Sequence, residues 1–332
     1  MPSLPVISLL EGPDIGRAAA LTAAALWAIA STVYASVGKT LSPWVMNLLK
    51  GCIAIVLLSL TLWALDVDVL GAPAWAVGLL LASGVIGIGM GDTAYFYSLK
   101  HLGPRRALLM GMLAPPTGAM LAFAFLGETL SPVALLGAAV TVAGVAWVIA
   151  ERTATPPAPV QVTVQATVQE TPAGEPATFP VTSHAADLRL GILFGTAAAT
   201  CQAVGSVFSR QVFNTIEIDA FHTAWLRMLA GLGFVLLALP FLPRNPTAAR
   251  LRRQPPMLWG KLAVACVLGT YLGISLMQLS FKYAKVGVAQ TLLSTSPIWV
   301  LPLAWLLGER LTWRAVGGAF VALAGVAMLV LA

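Results

Sequence analysis

Charged residues are scarce in this chain: Lys, Arg, Asp and Glu make up 10% of its 332 residues, whereas 58% are hydrophobic. Soluble domains carry about 25% charged residues. At a mean hydropathy of +0.87, too few polar groups remain to cover a water-exposed surface. The composition therefore excludes an ordinary soluble enzyme, a disordered protein and a nucleic-acid-binding protein. The net charge of +6 does not change this, because most basic residues lie between apolar runs.

Cysteine and histidine are also rare, with three residues of each. Cys52, Cys201 and Cys266 lie within apolar runs without metal-ligand spacing, so we interpret them as small packed residues. The histidines form no cluster, and the sequence contains no HExxH, P-loop or GxSxG motif. We therefore predict no metal site, no cofactor and no enzymatic activity.

Long apolar runs dominate the sequence. A helix needs roughly 20 mostly apolar residues to cross a bilayer. Their Leu, Ala, Val and Gly content without period-2 alternation predicts helices. The predicted spans are 16–37, 43–65, 74–99, 105–126, 131–150, 189–210, 220–242, 258–281, 287–307 and 312–331.

One connection between these runs differs from the rest. Residues 151–187 are rich in Pro, Thr, Val and Gln and contain no hydrophobic run, which indicates a flexible polar linker. The predicted organisation is an N-terminal tail at 1–15, a five-helix half at 16–150, the linker, and a second five-helix half at 188–332.

The two halves resemble each other in sequence. Gly127–Leu130 (GETL) recurs as Gly308–Leu311 (GERL), and Lys50 in the second run corresponds to Arg227 in the seventh. Chance similarity among helices rich in small residues is the alternative, but the matches keep their order across all five runs. A repeat with an odd number of spans must cross the membrane in opposite senses. We therefore predict an all-α membrane protein of ten transmembrane helices in two inverted repeats, the architecture of secondary transporters.

The same motifs carry a resemblance to a known family. Leu126–Leu130 and Leu307–Leu311 resemble the LGE-x-L turn between the fourth and fifth helices of each EamA-type repeat, and Lys50 and Arg227 stand where the second helix usually has a basic residue. The chain is thereby similar to EamA-type members of the drug/metabolite transporter superfamily. The resemblance implies a transporter with two EamA repeats. Its substrate could be an amino acid, drug, sugar, nucleotide sugar or phosphorylated metabolite.

Asp92 is the first candidate for a functional residue, because it lies well inside the third run. Ionisable residues within membrane helices are costly and often functional. Asp92 either couples transport to protons or binds a substrate cation; alternatively it forms a structural pair with Lys50 or caps a helix break. Its counterpart in the second half is Gly273 or Ile274, so the halves differ chemically at this position.

Lys50 and Arg227 are the second pair of candidates. Both lie inside apolar runs at matched positions of the two halves. One interpretation is a pair of cations facing a central cavity that binds a carboxylate or phosphate. The other is that their long side chains reach the membrane surface. The matched positions favour the cavity and an anionic or zwitterionic substrate.

Amphipathic side chains inside the first, third, sixth and eighth runs are further candidates, since the resemblance implies that these helices wall the cavity. Helix packing is the alternative for each of them. They are Trp27, Tyr34, Tyr95, Tyr97, Gln202, Tyr271 and Gln278.

Prolines and glutamates complete the candidate residues. Pro115, Pro116 and Pro297 lie inside the fourth and ninth runs, where a missing hydrogen bond could provide a kink or hinge. Glu128 and Glu309 end one helix and precede another, so we interpret both as turn-locking residues.

The orientation in the membrane is open. Most basic residues between the spans, including Arg105, Arg106 and Arg252, lie on the face opposite the termini. The positive-inside rule then predicts that both termini are outside the cytoplasm. The family resemblance implies that both termini are inside.

We predict a secondary transporter, an exporter or exchanger, that moves a small organic metabolite such as an amino acid by alternating access. The alternative is a membrane-embedded enzyme or flippase for a lipid-linked substrate. The expected partners are a small-molecule substrate, the lipid bilayer and, as a candidate, protons, with no nucleic acid; the oligomeric state is open. We expect an integral multi-pass protein of a prokaryotic plasma (inner) membrane.

Overall fold

The computed structural model describes residues 12–69, 71–126, 131–150, 184–241, 254–284, 286–306, 308 and 311–331. All regular elements in these ranges are helical. Two π-helical segments, π1 (Val85–Gly91) and π2 (Cys266–Leu272), each join two α-helices end to end. The α-helices are α1 (Gly12–Val37), α2 (Pro43–Ala64), α3 (Ala74–Gly84), α4 (Asp92–Gly111), α5 (Ala114–Leu126), α6 (Pro132–Ile149), α7 (His184–Thr215), α8 (Ala220–Ala238), α9 (Pro256–Ala265), α10 (Gly273–Tyr283), α11 (Val286–Leu293), α12 (Ser296–Leu306) and α13 (Trp313–Leu331).

Seven helical stretches within the described ranges are long and apolar enough to cross a membrane, and Trp313–Leu329 is a shorter apolar helix. The seven are Asp14–Val37, Pro43–Ala64, Ala74–Gly111, Pro132–Ile149, Asp187–Thr215, Ala220–Phe241 and Pro256–Tyr283. An all-helical integral membrane protein is therefore confirmed for this part of the chain, whereas the count of ten spans stays a prediction.

Local chain breaks explain why the predicted fourth and ninth spans are not among the seven, whereas the tenth is the shorter helix Trp313–Leu329. The predicted third span and the start of the predicted fourth form one helical stretch through α4. This stretch is kinked at Gly103, which adopts φ 76° directly before Pro104. The predicted fourth span is interrupted again between α4 and α5, before Pro115, and the ninth between α11 and α12, before Pro297. Each interruption leaves helices too short to cross a membrane alone.

Side-chain caps fix several helix starts. Ser42 and Ser131 each accept a hydrogen bond from the backbone N–H three residues later, and a proline follows each of them at the first helical position. Asp219 accepts from the backbone N–H groups of Phe221 and His222. These residues satisfy N–H groups that a helix start leaves without partners. The helix α7 begins at His184, within the last residues of the predicted linker, whose residues up to 183 lie outside the described ranges.

The first helix of each half packs against the other half. The helix α1 lies along α9, π2, α10, α11 and α12, and α7 lies along α3, π1, α4 and α5. The pairs α2–α8 and α6–α13 join equivalent helices of the two halves. Small residues make the second pair close: a Cβ atom added to Gly144 would lie 2.5 Å from the backbone N of Ala322.

Candidate functional site

A cavity of about 200 Å³ lies between the two halves. Its lining comes from α1, α2, π1, α4 and α5 of the first half and from α7, α8, π2, α10, α11 and α12 of the second. Most of the lining is apolar. Small-molecule binding sites usually have this composition, a mostly apolar lining with a few polar groups.

Lys50 and Asp92 form an ion pair at this cavity. Lys50 Nζ donates a hydrogen bond to Asp92 Oδ2. The Lys50 residue is 3% exposed, whereas the Asp92 side chain keeps 26% of its surface exposed. The Lys50 ammonium also lies 5.5 Å from the centre of the Phe96 ring, which stabilises a buried cation. The pair that sequence reasoning named as an alternative therefore exists, and the coupling role of Asp92 stays a prediction.

Arg227 lines the same cavity with a different partner. It is 1% exposed, and its Nη1 donates a hydrogen bond of 3.0 Å to the amide oxygen Oε1 of Gln278. Within the described ranges no carboxylate lies within 4.0 Å of this guanidinium, and its Nε has no hydrogen-bond partner. Gly87 makes room for it, since a Cβ atom there would lie 3.1 Å from Nη2. Arg227 therefore does not extend to the membrane surface.

Aromatic residues of α1 join the first half to π2. The indole Nε1 of Trp27 donates to the carbonyl oxygen of Gly269 at 2.9 Å, and Tyr34 Oη lies 3.0 Å from Thr270 Oγ1. Tyr34 also contacts the edge of Phe96, with ring centres 5.0 Å apart. Trp27 and Tyr34 line the cavity, so the contacts between the halves form part of its wall.

The other amphipathic candidates divide into two groups. Tyr95 and Gln202 line the cavity. Three others are not part of its lining: Tyr97 stacks on Phe194, Tyr271 Oη lies 2.7 Å from Thr61 Oγ1, and Gln278 is fully buried beside Arg227.

Several polar lining residues were not among the sequence candidates. Thr270 lies inside π2, and Ser294 lies at the break between α11 and α12. A polar residue beside a glycine or shortly before a proline within an apolar run was the available signal. That signal was present for Thr270, Ser294 and Ser296 but not for the other two missed residues, Ser31 and Gln290.

The two π-helical segments occupy corresponding places in the two halves, each directly before the second part of its half's third helix. Both border the cavity, π1 through Ile88 and Gly91 and π2 through Gly269 and Thr270. Asp92 follows π1 directly, and Gly273 follows π2. Such segments are rare and occur often at functional sites.

The predicted hinge prolines lie in first turns of helices. Pro115 and Pro116 follow the start of α5, and Pro297 is the second residue of α12 and lines the cavity. A proline costs no hydrogen bond in a first turn, so each one marks an interruption between two helices. That these interruptions act as hinges during transport stays a prediction. Glu128 and Glu309 lie outside the described residues.

No group of three or more His, Cys, Asp or Glu residues that could hold a metal ion occurs in the described ranges. The residues gathered at the cavity are instead two cations, one carboxylate, aromatic rings and neutral polar groups. This set suits the binding of a small organic ion.

Comparisons with known proteins agree with this arrangement. The model of the EamA-like transporter family matches the chain twice, at residues 14–150 and 189–331. No curated protein matches the sequence. One solved structure, described only as a crystal structure of a protein, is similar over 95% of this chain and 96% of its own, with a TM-score of 0.64 and 18% identity, which shows a shared fold alone. Because the family model covers most of both halves, the chain belongs to the EamA-like transporter family and is a membrane transporter of the drug/metabolite transporter superfamily.

Proposed function

We propose that this protein is a secondary transporter that moves a small anionic or zwitterionic organic solute, such as an amino acid, by alternating access between two inverted five-helix halves. The observation that carries this proposal is the cavity between the halves, which holds Lys50, Asp92 and Arg227. Two cations and one carboxylate leave a net positive charge in a mostly apolar cavity. Such a site attracts an anionic group and accommodates an apolar body.

Contacts at the two ends of the helix bundle support ten crossings. At one end, the start of α1 meets the end of α10: a Cβ atom on Gly16 would lie 2.5 Å from the backbone N of Ala284. At the other end, His101 of α4 lies 3.2 Å from Asp187 of α7. Ten crossings would bring both members of each pair to the same membrane face. Counting α4–α5 and α11–α12 as interrupted spans gives this number.

The exchange of first helices supports alternating access. The helix α1 packs on the second repeat and α7 packs on the first. Each of the two packed units around the cavity therefore contains helices from both repeats. Rocking of one such unit against the other would open the cavity first to one face and then to the other. We propose export or exchange in a prokaryotic plasma membrane, driven by the solute's own gradient or by protons acting at Asp92.

A stability measurement on the detergent-purified protein tests this proposal. The compounds are amino acids, organic acids, sugars, phosphorylated metabolites and organic cations. A ligand at a hundredfold excess over its Kd stabilises the state that binds it by about 2.7 kcal/mol. We expect a rise in melting temperature with an anionic or zwitterionic class. No rise with any compound, in a well-folded sample, would contradict the proposal and favour a lipid-linked substrate.

A further inference from the structure

Arg227 and Lys50 occupy matching positions in the two halves, yet only Lys50 has a carboxylate partner in the described structure. We propose that Arg227, held by Gln278, is the subsite for the substrate's carboxylate, and that Asp92 keeps Lys50 from serving as a second one. The inference rests on the proposed function, and it assigns the two cations different roles within the same cavity.

The surroundings of Arg227 are those of an incomplete ion pair. Removing an arginine from water is costly unless hydrogen bonds and an opposite charge replace the water. Gln278 supplies one neutral acceptor to Nη1, while Nε has no partner among the described residues. A planar carboxylate can accept two hydrogen bonds from one guanidinium, so it is the group that best completes this site.

Neighbouring polar atoms point to an oxyanion. Gln278 Nε2 and Ser275 Oγ are buried and have no hydrogen-bond partner in the described structure. They lie three residues apart on α10, which puts them on the same side of that helix. The amide nitrogen can only donate, and the hydroxyl can donate as well. The unpartnered donor of Gln278, next to Arg227, suits an anion and does not suit a second cation, and Ser275 Oγ offers a further donor on the same side of α10.

Lys50, unlike Arg227, already has a carboxylate partner. Its ammonium donates to Asp92 Oδ2 and lies against the Phe96 ring. The negative charge of Asp92 would repel a substrate carboxylate that approaches this ammonium, so Lys50 is the weaker anion site. The carboxylate of Asp92 is also the group on which a substrate ammonium could bind, so a zwitterion would lie with its acid end towards Arg227 and its amine end towards Asp92.

The substitution Gln278→Glu tests this assignment most sharply. It places a carboxylate beside Arg227 and so reproduces in the second half the ion pair of the first. We expect a higher melting temperature without ligand, because the buried guanidinium gains a partner, together with weaker binding of carboxylates. An arginine that serves folding alone would give the stabilisation without the loss of binding.

The probes are the twenty common amino acids and small monocarboxylates, each compared with its carboxamide by thermal stability and equilibrium binding. On the wild type, we expect the acid to bind about 10- to 100-fold more tightly than the amide. The neutral amide cannot form the hydrogen-bonded charge pair that the acid forms with Arg227. In Gln278→Glu the acid–amide difference should disappear. The control Gln211→Glu makes the same change at an exposed position of α7 and should keep the difference.

A second variant covers the case in which Gln278→Glu does not fold. Arg227→Lys keeps the positive charge but removes the planar two-donor arrangement, and it should reduce the acid–amide difference. An acid–amide difference in affinity that survives in the folded variants would overturn the assignment of Arg227 as the carboxylate subsite. It would leave the proposed function intact. Stabilisation of the wild type by sugars or organic cations but by no acid would overturn both.

Discussion

At the residue scale, the transporter contains two buried cations that are compensated in different ways. Lys50 has a carboxylate partner in its own half, and Arg227 has a neutral amide. In a membrane protein such groups face the interior and are retained for function or specific pairing. The asymmetry gives the cavity a positive excess on the side of Arg227.

Replacing Asp92 with Asn should destabilise the protein and remove proton coupling. Breaking a fully buried ion pair costs about 3–5 kcal/mol; because Asp92 is partly exposed, we expect about 1–3 kcal/mol. Uptake driven by a pH gradient should cease, while exchange of solute for solute should continue. Thermal unfolding and transport into proteoliposomes measure the two effects.

The double variant Lys50→Met/Asp92→Asn is the control, since it removes the cation that Asp92→Asn leaves without an ion partner. Its melting temperature should recover part of the loss. Unchanged pH-driven uptake in Asp92→Asn would show that Asp92 is a structural residue alone.

At the scale of helices, glycines decide how closely equivalent elements approach. Gly137 and Gly144 on α6 face the backbone of α13, and Gly318 and Gly325 on α13 face α6. Both pairs are seven residues apart, which keeps them on one face of a helix. The sequence shows this spacing in both halves, but it does not show that the two faces meet.

Adding one methyl group at this contact should be costly. In Gly144→Ala the new Cβ would lie 2.5 Å from the backbone N of Ala322, so the helices must separate and we expect about 1–3 kcal/mol of destabilisation. Gly233→Ala in α8 is the matched control, because no atom lies within 4 Å of its Cβ position. That variant should gain about 0.5–1 kcal/mol. Equal melting temperatures for the two variants would contradict the close packing of α6 and α13.

The interruption before Pro297 should influence the rate of transport more than binding. Pro297→Ala provides an N–H group that allows α11 and α12 to join. One backbone hydrogen bond contributes about 1 kcal/mol net, so breaking it in each cycle would slow exchange about fivefold. Pro302→Ala on the exposed side of α12 is the control. Equal exchange rates for both variants, measured in proteoliposomes, would argue against a hinge at Pro297.

At the scale of the whole molecule, the halves are intertwined through α1 and α7. The sequence predicted the apolar helices and the two repeats, because hydrophobic run length and the repeated motifs are local signals, but it did not predict this exchange of first helices. It also named Lys50, Asp92, Arg227 and Trp27, since ionisable and amphipathic residues stand out in apolar runs. It missed π1 and π2, because a π-helical segment has no composition that separates it from the surrounding helix. Tyr271 was included because its helix was expected at the cavity, but it faces Thr61 of α2.

The inverted arrangement predicts which loops share a membrane face. In a background without Cys52, Cys201 and Cys266, single cysteines are introduced at Asp68, Glu217, Lys39 or Arg314, all of which are exposed. A membrane-impermeant thiol reagent should label positions 68 and 217 from one side and positions 39 and 314 from the other. Labelling of Lys39→Cys and Glu217→Cys from the same side would exclude ten crossings. The absolute side also decides between the two orientations that the sequence leaves open.

Solute counterflow tests the central claim most directly. Proteoliposomes that contain the purified protein are loaded with an unlabelled amino acid or organic acid from the stability measurement and diluted into its labelled form. The account predicts transient accumulation of label by the wild type and by Gln211→Glu, and none by folded Gln278→Glu. Accumulation by Gln278→Glu equal to that of the wild type, or no accumulation by the wild type of any acid that stabilises it, would contradict the account.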